Sequence, residues 1–170
     1  MIIRSARLEM TPLTLDDWPL FKTLHNTPQV IAQCFDPVDD AVLQQKFQQR
    51  LVPWHKEAGH WQCLVIREHA SGDAVGVTGM CMSHGRAEVG YLLLPDYYGK
   101  GFGTESLQAL IQWAVAEQEI TRFKAVVTEG NVASERVLQK IGFQLVEKVP
   151  DAHCIGGICY ADHIYHFDAD

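Results

Sequence analysis

The eight residues Tyr98-Gly99-Lys100-Gly101-Phe102-Gly103-Thr104-Glu105 carry the densest chemical signal in the chain. Alternate glycines remove Cβ atoms and let successive backbone N–H groups face one concavity. A helix starting there adds its free N–H groups and the positive end of its dipole. Together these favour an anion, most often a phosphate or pyrophosphate. The spacing equally fits a plain glycine-rich turn between a strand and a helix. It does not fit a nucleotide P-loop, because no Gly-Lys-Ser/Thr ends a six-residue spacer. Nor does it fit a dinucleotide fingerprint, whose third glycine would have to stand at Thr104 or Ser106.

The rest of the composition narrows the classes. The chain has 170 residues, enough for one domain with a sizeable core, and it reads as a single domain over 1–170. Hydrophobic residues make up 47% and charged residues 21%, as expected of a soluble globular protein. No apolar run reaches membrane-spanning length, and Met1-Ile2-Ile3-Arg4 does not open a signal peptide. The net charge of -7 argues against general nucleic-acid binding and modestly favours encounter with a cationic acceptor. Five cysteines, Cys34, Cys63, Cys81, Cys154 and Cys159, show no CxxC spacing and read as reduced thiols of a cytoplasmic protein. His163 and His166 stand beside Asp162 and Asp168, but the segment alternates like a strand, and no metal site is assigned.

The elements that must position the glycine loop follow from periodicity. Residues 1–10 read as one strand. Thr14 with Asp17 three residues later marks a helix start, and Leu20, Phe21 and Leu24 supply its apolar face. Pro28 breaks this helix or starts another. Val42, Leu43, Phe47 and Leu51 recur at helical spacing up to Pro53. Strands at Trp61–Ile66, Ala74–Met82 and Ala87–Leu94 are joined by short turns, which implies an antiparallel meander. After the loop, Leu107, Leu110, Ile111 and Ala114 form a helical stripe over 104–118. A buried strand, Phe123–Thr128, precedes a helix capped by Asn131 and stopped by Gly142. Two strands, Phe143–Val149 and Ile158–Phe167, flank a loop over Pro150–Gly157.

This order of elements resembles the GCN5-related N-acetyltransferase (GNAT) family. Two motifs carry the likeness. Gly90-Tyr91-Leu92-Leu93-Leu94-Pro95 followed by the glycine loop is similar to the family's acetyl-CoA motif, Gln/Arg-x-x-Gly-x-Gly/Ala. Asn131-Val132-Ala133-Ser134 leading to Lys140-Ile141-Gly142-Phe143 resembles the Asn-x-x-Ser…Lys-x-Gly-Phe signature of the ribosomal-protein acetyltransferase subgroup. Tyr98 stands where the general motif has Gln/Arg, and the subgroup often has an aromatic residue there. Leu138 occupies the position at which many members place a tyrosine acid, so no tyrosine acid carries over.

The resemblance implies an α/β (α+β) fold with a mixed, mainly antiparallel central sheet of about seven strands flanked by helices. It implies acetyl-CoA as donor, direct transfer to a primary amine in a ternary complex, and no metal. The acceptor would be a protein N-terminal α-amine or a small-molecule amine, the protein a monomer or homodimer without nucleic-acid or membrane partners. Backbone groups of Tyr91, Leu92 and Leu93 would pair with the pantetheine arm, and Gly99, Lys100, Gly101, Phe102, Gly103 and Thr104 would hold the pyrophosphate. Asn131 would cap its helix and touch CoA. Ser134 matches the subgroup's acid for the departing thiolate.

The acceptor must lose a proton before attack. At pH 7 this costs about 4.6 kcal/mol for a lysine side chain and about 1.1 kcal/mol for an α-amine. An α-amine therefore needs little help. Glu88, at the start of the central strand, is the first candidate base, directly or through water, and a salt-bridged structural glutamate is the alternative. Glu129 and His84 are weaker candidates. A different class also fits the loop: a non-catalytic acyl-CoA-binding or regulatory protein.

Overall fold

A computed structural model describes every residue from Met1 to Asp170. Its strands are β1 (Ile3–Arg4), β2 (Leu8–Pro12), β3 (Leu64–Glu68), β4 (Ala74–Ser83), β5 (Arg86–Leu93), β6 (Arg122–Thr128), β7 (Gln144–Ile155) and β8 (Ile158–Asp168). Its helices are α1 (Trp18–Asn26), α2 (Pro28–Ile31), α3 (Asp40–Leu51), α4 (Phe102–Gln118) and α5 (Val132–Ile141). All eight strands join one sheet in the order β1-β2-β3-β4-β5-β6-β8-β7. Every neighbouring pair is antiparallel except β5 and β6. The mixed, mainly antiparallel architecture matches the sequence expectation, with eight strands in place of about seven.

The extra strand arises at the N-terminus. The Ser5 N–H closes on the Leu8 carbonyl at 2.9 Å, so residues 1–10 turn and form two strands. Thr14 starts the first helical segment as expected: one Asp17 carboxylate oxygen accepts from the Thr14 N–H and hydroxyl at 2.8 and 3.1 Å. The other Asp17 oxygen accepts from Arg67 Nη2 at 3.0 Å, which ties this helix start to β3. The meander begins later than expected, at Leu64. Gln62 still approaches β4, and a Cβ at Gly79 would lie 1.9 Å from its carbonyl oxygen, so only glycine admits this backbone contact.

The expected loop at Pro150–Gly157 is instead part of a long hairpin. Gly156 and Gly157 both adopt positive φ, 58° and 80°, as a two-residue turn matched to strand twist requires. β7 tolerates Pro150 because it is the sheet edge and because it bulges there. Near the tip, Cys154 and Cys159 face each other in register, and a disulfide joins them. This corrects the reading of five reduced thiols; Cys34, Cys63 and Cys81 are free.

The sheet separates two cores. On one face the α4 stripe of Leu107, Leu110, Ile111 and Ala114 packs with Met80, Val89 and Phe123. α5 adds Leu138 to the same core. On the other face Phe21, Leu24, Leu43 and Phe47 cover Val65 and Val77.

Glu105, in the first turn of α4, links that helix to the N-terminal strands. Its carboxylate accepts from the Ser5 hydroxyl at 2.6 Å, the Arg7 N–H at 2.8 Å and Arg7 Nε at 2.8 Å. Burial alone would raise the Glu105 carboxyl; the hydrogen bonds from Ser5 and Arg7 outweigh it and hold the group below the usual carboxylate range. Glu105→Ala is expected to cost about 1.5–3 kcal/mol at neutral pH, the range for hydrogen bonds to a charged group. A depressed native pKa gives stability that is present above the unfolded value and lost below it. The gap between variant and wild type therefore narrows as pH falls below about 4.3. Denaturant unfolding at pH 7 and pH 3 measures both.

Candidate active site

The parallel pairing of β5 with β6 covers only Ala87–Phe123 and Glu88–Lys124. Beyond these pairs the strands diverge, and a wedge opens at the C-terminal end of β5. Two cavities fill this region. The larger, about 860 Å³, lies between the glycine loop, the end of β5 and α5. The smaller, about 300 Å³, enters the wedge between Gly90 and Tyr91 of β5 and Val126, Val127 and Thr128 of β6. Gln33, Cys34, Tyr91, Asn131 and Ser134 line both, so the cavities meet there.

The residues expected to hold acetyl-CoA, Lys100 excepted, fall on the larger cleft. Tyr91, Leu92, Leu93, Gly99, Gly101, Phe102, Gly103, Thr104 and Asn131 all line it. Gly99 and Gly101 have φ of 74° and 80°, a backbone state available at low cost only to glycine. The Phe102 side chain is buried in the core, so this residue offers backbone alone. A Cβ at Gly103 would meet the Tyr91 ring at 3.2 Å, which makes that glycine a packing requirement. Lys100 is exposed and stands 5.4 Å from the Tyr97 ring, outside the cleft lining.

Ser134 sits in the first turn of α5. Its N–H donates to Asn131 Oδ1 at 3.4 Å, so Asn131 caps the helix as expected. Its hydroxyl lies 3.4 Å from the Tyr91 phenol. Burial raises the Tyr91 phenol; the Ser134 contact opposes the rise, and Cys34 adds to it. The phenol is therefore protonated at neutral pH and can donate. Glu88 is brought elsewhere. It lines neither cavity, and its carboxylate lies 3.9 Å from Lys124 Nζ. Burial raises its carboxyl, Lys124 opposes this, and Asp162 adds to it. His84 and Glu129 are exposed, and neither lines these two cavities.

Several lining groups escape the sequence reading. Arg136 and Lys140 present two cations to the larger cleft. Their spacing of four puts them on one face of α5, a signal the sequence did contain. Gln33 and Cys34, in the turn after α2, bring the N-terminal region to the site. The Tyr91 phenol reaches Ser134 from a strand, which no helix motif reports. Thr128, His153 and Asp162 line the smaller cavity. His163 faces away and pairs with Glu135, which also accepts from the Tyr165 hydroxyl.

A family model for the acetyltransferase (GNAT) domain matches residues 7–144. The chain belongs to the GNAT acetyltransferase family. It is 34% identical over 70 residues to the uncharacterized N-acetyltransferase YoaA of Bacillus subtilis, covering 41% of this chain and 40% of the relative. It is 32% identical over 81 residues to the putative ribosomal N-acetyltransferase YdaF of Bacillus subtilis, covering 48% of this chain and 44% of the relative. The matching stretch thus spans less than half of either curated relative. Among solved structures, the fold is similar to RimL, a ribosomal L7/L12 alpha-N-protein acetyltransferase in complex with coenzyme A, with a TM-score of 0.86, 21% identity, and 100% and 99% of the two chains covered.

The loop geometry generates a direct test. Gly101→Ala adds a Cβ at positive φ in the cleft-lining loop, 3.4 Å from an Arg7 Nη2 atom. Gly72→Ala, also at positive φ but facing open space, isolates the backbone strain. Calorimetric titration is expected to show coenzyme A binding weakened about ten-fold or more in Gly101→Ala, a loss of about 1.4 kcal/mol, and unchanged in Gly72→Ala.

Proposed function

We propose that this protein transfers an acetyl group from acetyl-CoA to a primary amine, by direct transfer while both substrates are bound. The observation that carries this reading is the junction of two cavities at Tyr91, Asn131 and Ser134. The larger has the donors and cations suited to a pyrophosphate and adenosine-phosphate ligand; the smaller has room for an amine-bearing group. The family supplies the expectation of an acetyl donor, and the RimL complex supplies a neighbour of the same fold that holds coenzyme A.

In this reading the N–H groups of Gly99 through Thr104 and the α4 N-terminus hold the pyrophosphate, with Arg136 and Lys140 adding positive charge. The free edge of β5 near Tyr91, Leu92 and Leu93 pairs with the pantetheine arm. Acetyl-CoA supplies an activated thioester. Ser134 donates a hydrogen bond to the departing thiolate, and the Tyr91 phenol replenishes it. Glu88 and Asp162 give the acceptor side negative charge. The acceptor is a small amine or a protein N-terminal α-amine, the latter in line with the substrate named for RimL.

Acetyl-CoA turnover across small amines and peptides, followed by free-thiol release and mass spectrometry of the acceptor, tests the activity. Mass gain on no acceptor, with intact coenzyme A binding, would leave a binding protein. Ser134→Ala is expected to lower kcat by about ten-fold, less than a typical general acid contributes because a thiolate leaves readily. Its acetyl-CoA dissociation constant stays within two-fold of wild type. Glu88→Gln is expected to lower turnover by about five-fold or less, since one screened charge is worth about 1 kcal/mol. A pH–rate profile of Glu88→Gln that overlays wild type makes Glu88 purely structural.

A further inference from the structure

β7 does not run straight past the wedge. Its register passes from Val149–Asp162 to His153–Tyr160, so Pro150, Asp151 and Ala152 bulge out of the ladder. Asp151 adopts a φ of 49°, unusual for a residue other than glycine. Such bulges re-aim side chains beside active sites. Here the bulge is followed immediately by His153, which lines the smaller cavity together with Thr128, Asp162 and Ser134. His153 Nδ1 lies 2.8 Å from Asp162 Oδ1, and His153 Nε2 lies 3.0 Å from the Thr128 hydroxyl. The Asp162 oxygen is buried and accepts no hydrogen bond, so its tie to His153 is a close ionic contact.

This chain has a direction. The Asp162 carboxylate beside Nδ1 favours the hydrogen on that nitrogen, which leaves the lone pair on Nε2. The lone pair points toward Thr128, which donates to it when no stronger donor is present. We infer that His153, oriented by Asp162, is the general base that takes the proton from the acceptor amine. The inference rests on the acetyl-transfer reading above. The acceptor nitrogen displaces Thr128 as the donor to Nε2. Its lone pair forms the new bond to the acetyl carbon, the carbon–sulfur bond breaks, and the sulfur leaves with that electron pair. The amine proton goes to His153 Nε2 and from there to solvent, while the thiolate gains its proton from the Ser134 side. The titratable groups that face the imidazole are Asp162, Cys34 and Tyr91 in the same cavity and Tyr160 across the ladder on β8. No lysine or arginine lines the cavity. A histidine therefore works here without a competing cation.

His153→Gln and Asp162→Asn, assayed on the best acceptor found, test the assignment. His153→Gln is expected to lower kcat about a hundred-fold or more, with KM for acetyl-CoA within two-fold of wild type. Its residual rate should climb steadily with pH as free amine accumulates. His153 is the catalytic residue and Asp162 a positioning residue. Asp162→Asn should lower kcat about ten-fold and move the acidic limb of the pH profile to lower pH, a shift that a merely structural carboxylate does not produce. Melting temperature and coenzyme A titration of each variant confirm that the fold is kept. A kcat for His153→Gln within two-fold of wild type overturns the inference. Histidine nitrogen NMR on the wild-type protein decides independently of turnover: an Nδ1–H imidazole that loses this tautomer in Asp162→Asn supports the assignment, and an Nε2–H imidazole overturns it. If no amine is acetylated by wild type, the acetyl-transfer reading falls, and the general-base role falls with it even where the tautomer is as expected.

Discussion

The structure turns on one interrupted interaction. β5 and β6 are parallel and exchange a ladder over only two residue pairs, Ala87–Phe123 and Glu88–Lys124. A parallel ladder is the least favourable pairing in this otherwise antiparallel sheet, and it needs helices to cover it. α4 and α5 supply that cover. What elsewhere would be a packing defect is stabilised by the strands on either side. β4 holds β5 along its whole length, and β8 holds β6 from Arg122 to Thr128. Each strand bordering the gap is thus laddered to a neighbour on its far side.

Much of the frame was legible in the sequence because it rests on local rules. The α4 and α5 stripes, the Asn131 cap, the Gly142 stop and the glycine loop all follow from residue types at short spacing. The two-strand N-terminus was hidden because a single hydrogen bond at Ser5 turns the chain without a glycine or proline. The β7–β8 hairpin was misread for the opposite reason. Pro150 and two adjacent glycines look like a loop, and only the edge position of β7 makes proline compatible with pairing. Glu88 could be placed on its strand, yet its partner Lys124 is an across-sheet neighbour 36 positions away in the chain. Thr128, His153 and Asp162 come from three strands, and no periodicity in the chain brings them together.

Electrostatics in this protein are local. The chain carries a net charge of -7, yet its larger cleft is flanked by Arg136 and Lys140, with Arg7 close to Gly101. The smaller cavity has Asp162 and no cation. Opposite signs are therefore assigned to the two sides of one junction. Glu105 contributes from outside both cavities. By fixing Arg7 it sets the guanidinium against the Phe102 ring, 4.6 Å from its centroid, beneath the loop.

The bulged edge of β7 has a second effect, on the outside of the molecule. An edge strand of twelve residues, exposed over most of its length, is a template on which another chain can add. β7 pairs with β8 in the short runs Gln144–Leu145, Glu147–Val149 and His153–Ile155, broken by two register shifts. An incoming strand would find no more than three consecutive residues in regular register, with Pro150 lacking a donor between the last two runs. The same distortion that turns His153 inward thus leaves the outer rim poorly suited to zippering with other copies, and protects the sheet from growth into an aggregate.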